Sequence, residues 1–145
     1  MNPVPLTLLF AGCCALLQVA LTALVVIRRL QTGVHFLDGG DTPLMRRIRA
    51  HGNFSETVPM ALLLLGLLEL SGLGSHWLVG FGTALLLGRV LHAHCLIYDS
   101  ASWGRLVGMV LTIGVISIEG MFALWIFYGR DAAIFSSVID LQRFI

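Results

Sequence analysis

The chain has 145 residues, 57% hydrophobic and only 12% charged, with a mean hydropathy of +0.91; soluble domains carry roughly a quarter charged residues, so lipid is the solvent for most of this one. A formal net charge of +1 and the lack of a glycine-rich phosphate loop argue against nucleic acid as a partner. The length suits one domain over residues 1–145 and leaves no room for a separate soluble unit.

Crossing about 30 Å of hydrocarbon takes about 20 apolar residues, and four stretches meet that length: 4–27, 54–73, 77–98 and 106–128. The first holds no charged residue and is followed by Arg28 and Arg29. It lacks the positive leader of a signal peptide and is expected to stay in the protein as a span. The connection that follows carries Arg28, Arg29, Arg46, Arg47 and Arg49 against Asp38 and Asp41, so the positive-inside rule places it in the cytoplasm. Both termini then fall outside, the turn at 71–75 outside, and the connection at 99–105 inside, with Arg130 and Arg143 opposing this only weakly. The Gly, Asp and Pro residues of 32–43 predict irregular structure, then a second helix capped at Asp41 or Thr42 and starting near Leu44.

The second span carries Glu56 and Glu69 near its ends; the third contains Arg89, His92 and His94, and the fourth contains Glu119. An ionisable group in hydrocarbon costs about 3 kcal/mol on insertion scales and demands a partner or water. Arg49, Asn53 and Glu56 are spaced i, i+4, i+7, which puts them in one helical stripe about 60° wide, with His51 and Ser55 beside it. Arg89 lies about 13 Å from the cytoplasmic end of its helix, beyond comfortable snorkelling, and an Arg89 to Glu56 interaction is predicted. His92 shares the Arg89 face while His94 points elsewhere, so the two do not converge on a metal, and neither metal nor haem is expected. Arg105 opens the fourth helix beside the belt aromatics Tyr98 and Trp103. Glu119 is expected as a neutral, hydrogen-bonded side chain at a helix interface. Cys13, Cys14 and Cys95 all lie in apolar stretches and read as packing residues. By depth, Arg49, Asn53, Glu56, Arg89, His92 and Arg105 form a polar set at the cytoplasmic mouth. In this set Arg outnumbers carboxylate three to one, which favours an anionic ligand.

The stretch Arg49-Ala50-His51-Gly52-Asn53-Phe54-Ser55-Glu56-Thr57-Val58-Pro59 resembles the R-A-x-x-N-x-x-E-x-x-P pattern that opens the second helix of the MAPEG family, the membrane-associated proteins of eicosanoid and glutathione metabolism. Gly88-Arg89-Val90-Leu91-His92 resembles that family's third-helix motif, and Arg105 falls where its fourth helix opens with Arg. The resemblance covers essentially the whole chain. It implies an all-α integral membrane four-helix bundle that assembles as a homotrimer in a bacterial inner membrane, surrounded by lipid, with glutathione as co-substrate bound between subunits on the cytoplasmic side. Arg49, His51, Asn53, Glu56, Arg89 and His92 would hold glutathione, with Arg28 or Arg29 reaching from a neighbouring subunit. Arg105 would stabilise the thiolate for attack on a lipophilic electrophile or hydroperoxide. Thr57, His92 and Leu96 stand where some members carry aromatic hydroxyls, and Leu106 where some carry Ser, so eicosanoid specificity is not implied. Two other classes fit the same polar set: an anion carrier or channel, disfavoured by four unbroken helices, and a structural adaptor in which the set fixes helix register.

Overall fold

A computed structural model of the chain describes residues 4–98 and 102–142, with side chains of the last helix described over 103–129. The connection at 99–101 and Arg143 lie outside the described residues, as does the side chain of Arg130. Four helices follow one another: α1 (Pro5–Thr32), α2 (Thr42–Leu70), α3 (Ser75–Ile97) and α4 (Ser102–Gln142). Each is long and apolar enough to cross a membrane, giving an all-α integral membrane bundle.

The ends of these helices follow local chemistry. Proline at the first helical position of α1 gives up a donor that would be unpaired anyway. Gly33 stops α1 in the left-handed conformation, φ 68°, with its N–H on the Arg29 carbonyl at 2.9 Å. Asp41 caps α2, its carboxylate accepting from the Leu44 N–H at 2.7 Å. After Leu70 the chain turns through Gly72, φ 85°. The Gly72 N–H bonds the Glu69 carbonyl and the Leu73 N–H bonds that of Leu68, both at 3.0 Å, the paired bonds of a Schellman stop.

Two helices extend well past the apolar stretches that announced them, although α2 ends at Leu70, short of 73, and α3 at Ile97, short of 98. α2 starts 12 residues before position 54, and α4 runs to Gln142; at 1.5 Å per residue α4 is about 60 Å long, roughly twice the hydrocarbon thickness. Hydropathy reports where lipid lies, whereas backbone hydrogen bonding continues into the aqueous margins.

α2 and α3 form the central pair, with α1 packed on both from one side and α4 on both from the other. The core runs through Phe10, Phe54, Ala61, Leu65, Phe81 and Leu85. Small residues set the closest approaches, as they do between membrane helices generally. The Phe10 ring occupies the space over Gly82. A Cβ on Gly108 would lie 2.5 Å from the Gly88 carbonyl oxygen and 2.7 Å from the His92 Cβ, so α3 and α4 cross at backbone contact there. The three cysteines are free thiols, Cys14 and Cys95 buried.

Candidate functional site

The α1–α2 end of the bundle is held by arginines. Arg28 grips Asp41 with two bonds, Nη2 to Oδ2 at 2.7 Å and Nε to Oδ1 at 3.1 Å, so the residue that caps α2 also ties it to α1. The hydrogen bond from Arg28 holds the Asp41 carboxyl below its ordinary range, despite the opposing cost of desolvation, and the Leu44 N–H adds to the effect. Arg47 reaches across from α2 to the Leu24 carbonyl of α1 at 2.9 Å. Arg29 donates to the Val34 carbonyl at 3.2 Å.

These ties position a cleft of about 360 Å³ between α2 and α3, lined by Ile48, Arg49, Gly52, Asn53 and Glu56 of α2 with His92 and Leu96 of α3. The i, i+4, i+7 stripe thus becomes one wall, and the turn after Arg89 supplies the other. A second hollow of about 420 Å³, lined by Leu37, Asp38, Met45, Ile48 and Arg49, shares Ile48 and Arg49 with it.

Arg89 lies behind the cleft, 1% exposed. Its Nη1 donates to Asn53 Oδ1 at 2.6 Å and to Thr57 Oγ1 at 3.4 Å. Its Nη2 donates to the Gly108 carbonyl at 3.1 Å. The same carbonyl accepts from Thr112 Oγ1 at 2.8 Å. One guanidinium therefore joins three helices, and the Gly88–Gly108 contact is what brings the carbonyl within reach. Its Nε has no partner among the described atoms.

The predicted Arg89 to Glu56 interaction is not formed. Asn53, one turn closer to Arg89, takes the guanidinium, while Glu56 stands exposed at the open side of the cleft. His92 turns Nδ1 to the Arg105 carbonyl at 3.0 Å; a carbonyl can only accept, so the proton sits on Nδ1 and Nε2 is left as an acceptor. Arg105 approaches the cleft through that carbonyl, and its side chain, half-buried, is not part of the described lining.

His51 is a second correction. It faces α1, where its Nε2 meets Gln18 Nε2 at 2.8 Å, and the same amide donates to Ser55 Oγ at 3.0 Å. Two residues beyond Arg49, at about 200° around the helix, it cannot share the cleft wall. Arg28 and Arg29 are engaged within their own chain by Asp41 and Val34. His94 stacks near Tyr98, ring centroids 4.9 Å apart, away from His92. Glu119 is buried at a helix interface, 1% exposed, but its Oε2 has no hydrogen-bond partner among the described residues, contrary to the expected bonding.

Sequence reasoning missed one polar contact entirely. Glu69, at the far end of α2, accepts from the backbone N–H groups of Leu6 at 2.9 Å and Thr7 at 2.7 Å. It caps α1 from another helix, where Val4 supplies no side-chain cap. A carboxylate near a span end with no basic neighbour was the available signal.

Fold and cleft together define a membrane bundle with a cation-bearing pocket at one end. Residues 7–126 match the MAPEG family. The chain is 34% identical over 118 residues to the inner membrane protein YecN of Escherichia coli strain K12, an alignment covering 81% of this chain and 88% of that protein. The YecN protein of Escherichia coli O6:H1 strain CFT073 matches to the same extent. The chain belongs to the MAPEG family.

Proposed function

We propose that this protein is a membrane-bound glutathione-dependent transferase or peroxidase. The observation that carries the reading is the cleft itself, in which Arg49, Asn53 and Glu56 line one wall in front of a fully buried Arg89. Its volume of about 360 Å³ falls in the range of small-ligand sites. Glutathione is a zwitterion with two carboxylates and an ammonium, and the exposed Arg49 and Glu56 offer a charge for each sign. The unpartnered Arg89 Nε adds a buried donor behind that wall.

Bound there, glutathione would supply a thiolate whose sulfur bonds to an electrophilic carbon as that carbon's leaving group departs, or, with a second glutathione, would reduce a hydroperoxide to its alcohol and water as the two thiols are oxidised to glutathione disulfide. The chain's part is to hold the tripeptide and favour the charged sulfur. Arg49, Asn53 and Glu56 position the ligand, Arg89 fixes Asn53, and His92 offers Nε2 as an acceptor. By the family resemblance Arg105 takes the role of the cation that stabilises the thiolate, lowering the thiol pKa and populating the nucleophile near neutral pH. In the proposed homotrimer Arg28 or Arg29 of a neighbouring subunit reaches the same ligand. The arginine asymmetry orients the cleft toward the cytoplasm, and the relatives' names favour a bacterial inner membrane.

Purified protein with glutathione should show thiolate absorbance at a pH where free glutathione is a thiol, and Arg105→Ala should abolish it. Absence of the band from the native protein would remove thiolate activation. A second reading, binding without fast transfer, is favoured by the position of the Arg105 side chain outside the described lining. Under that reading glutathione binds and the absorbance band does not form.

A further inference from the structure

The connection between α1 and α2 carries an apolar tip that neither the core nor the cleft accounts for. Phe36 and Leu37 are 87% and 83% exposed. Leu37 sits at φ 52°, a left-handed conformation that side-chain-bearing residues rarely adopt. The turn behind it is ordered: Asp38 accepts from the Asp41 N–H through its carbonyl at 2.9 Å and from the Gly40 N–H through Oδ1 at 3.1 Å. Two adjacent large apolar side chains are thus held outward by a hydrogen-bonded turn.

Two observations identify what they meet. The first is continuity with the lipid face. On the last turns of α1 Val26, Ile27 and Leu30 are 47%, 48% and 79% exposed, and the bond from Arg29 to the Val34 carbonyl ties the start of the connection to the last turn of that helix. The apolar run of α1 ends at Ile27, so this depth is that of the headgroups. The second is charge. The tip rises from a segment holding five arginines against two aspartates, and Arg29 is fixed at its base. Exposed apolar side chains on a net-cationic connection suit a bilayer surface rich in anionic phospholipid.

We propose that Phe36 and Leu37 insert into the headgroup region of the leaflet on the arginine-rich side, where the net positive charge of the segment favours anionic phospholipid. Leu37 and Asp38 also line the hollow that shares Ile48 and Arg49 with the cleft. Seating the tip in lipid therefore places the outer wall of that hollow at the membrane surface. The inference stands whether or not glutathione is the ligand.

The test places tryptophan at the tip, Phe36→Trp, in a background with Trp77→Phe, Trp103→Phe and Trp125→Phe, reconstituted in phosphatidylcholine vesicles with or without brominated phosphatidylglycerol. The expected result is blue-shifted emission, protection from acrylamide, and quenching by the brominated anionic lipid about twofold stronger than by brominated phosphatidylcholine. Emission at the wavelength of water-exposed tryptophan with full acrylamide access overturns the proposal. Protection from acrylamide without lipid quenching also overturns it, because a second copy of the chain then covers the tip. Hydrogen exchange of residues 33–41 in the native protein serves if the tryptophan-free background fails to assemble. Exchange several-fold slower in nanodiscs containing phosphatidylglycerol than in phosphatidylcholine alone supports the insertion, and equal rates overturn it.

Discussion

Arg89 and Glu56 show how burial separates two residues that share a motif. Arg89 is fully buried and its hydrogen bonds hold α2, α3 and α4 together, whereas Glu56 is exposed and makes no hydrogen bond or ion pair among the described residues. The two should therefore fail differently. Asn53→Ala strips the buried guanidinium of its shortest bond and should lower stability by about 2–3 kcal/mol, read as an earlier thermal transition in detergent. Glu56→Gln should leave that transition in place and weaken the proposed glutathione binding, measured by calorimetry on the same preparations. Equal thermal losses in both would restore Glu56 as a structural partner of Arg89. Glu119 offers a contrast, since it is buried with an oxygen that bonds nothing. Glu119→Met should leave stability unchanged or raise it, because a polar atom without a partner is replaced by an apolar one of similar size.

Among the elements, the crossing of α3 and α4 depends on Gly108, whose missing Cβ leaves space for the Gly88 carbonyl and His92. Gly108→Ala should cost about 1–3 kcal/mol by forcing the helices apart and should also draw the Gly108 carbonyl away from Arg89. Gly114→Ala, where nothing lies within 4 Å of the added carbon, is the matched control for thermal melting. Glu69 acts across elements as the cap of α1, so Glu69→Ala should cost about 1 kcal/mol and speed hydrogen exchange at Leu6 and Thr7. The tie between Arg28 and Asp41 predicts a pH dependence. The folded state holds Asp41 below its ordinary pKa of about 4, so it favours the ionised form. This contribution is complete above the ordinary value and is lost as pH falls through the lowered one. Acidification through that window should loosen the end of α1 against α2, seen as faster exchange near residues 28–41, and Asp41→Asn should show fast exchange at all pH values.

At the level of the whole molecule, lipid changes which surfaces need explanation. The outward apolar side chains of α1 and α4, such as Leu16 at 74% and Met121 at 66% exposure, suit lipid, so their exposure is no anomaly in a membrane-spanning bundle. Polar groups on the outside do, and Gln18, His51 and Ser55 cluster where α1 meets α2. The cleft, the arginine-rich end and the apolar tip at Phe36 and Leu37 all lie at one end of the bundle, with the Glu69 cap and the 71–74 turn at the other. The proposed ligand site, the arginine charge and the proposed lipid contact are therefore concentrated at one end of the bundle.

Four helices, the all-α membrane class, a cap at Asp41 or Thr42 and the stripe from Arg49 to Glu56 were legible in the sequence, because hydropathy, capping and helical spacing are local properties of the chain. Partner choice was not. Whether Arg89 meets Glu56 or Asn53, and whether His51 faces the cleft or α1, depends on how neighbouring helices are rotated and slid against each other. That relation is set by distant contacts such as Gly88 with Gly108 and Phe10 with Gly82. The cap that Glu69 lends to α1 spans 62–63 residues of sequence and exists only once the bundle has closed.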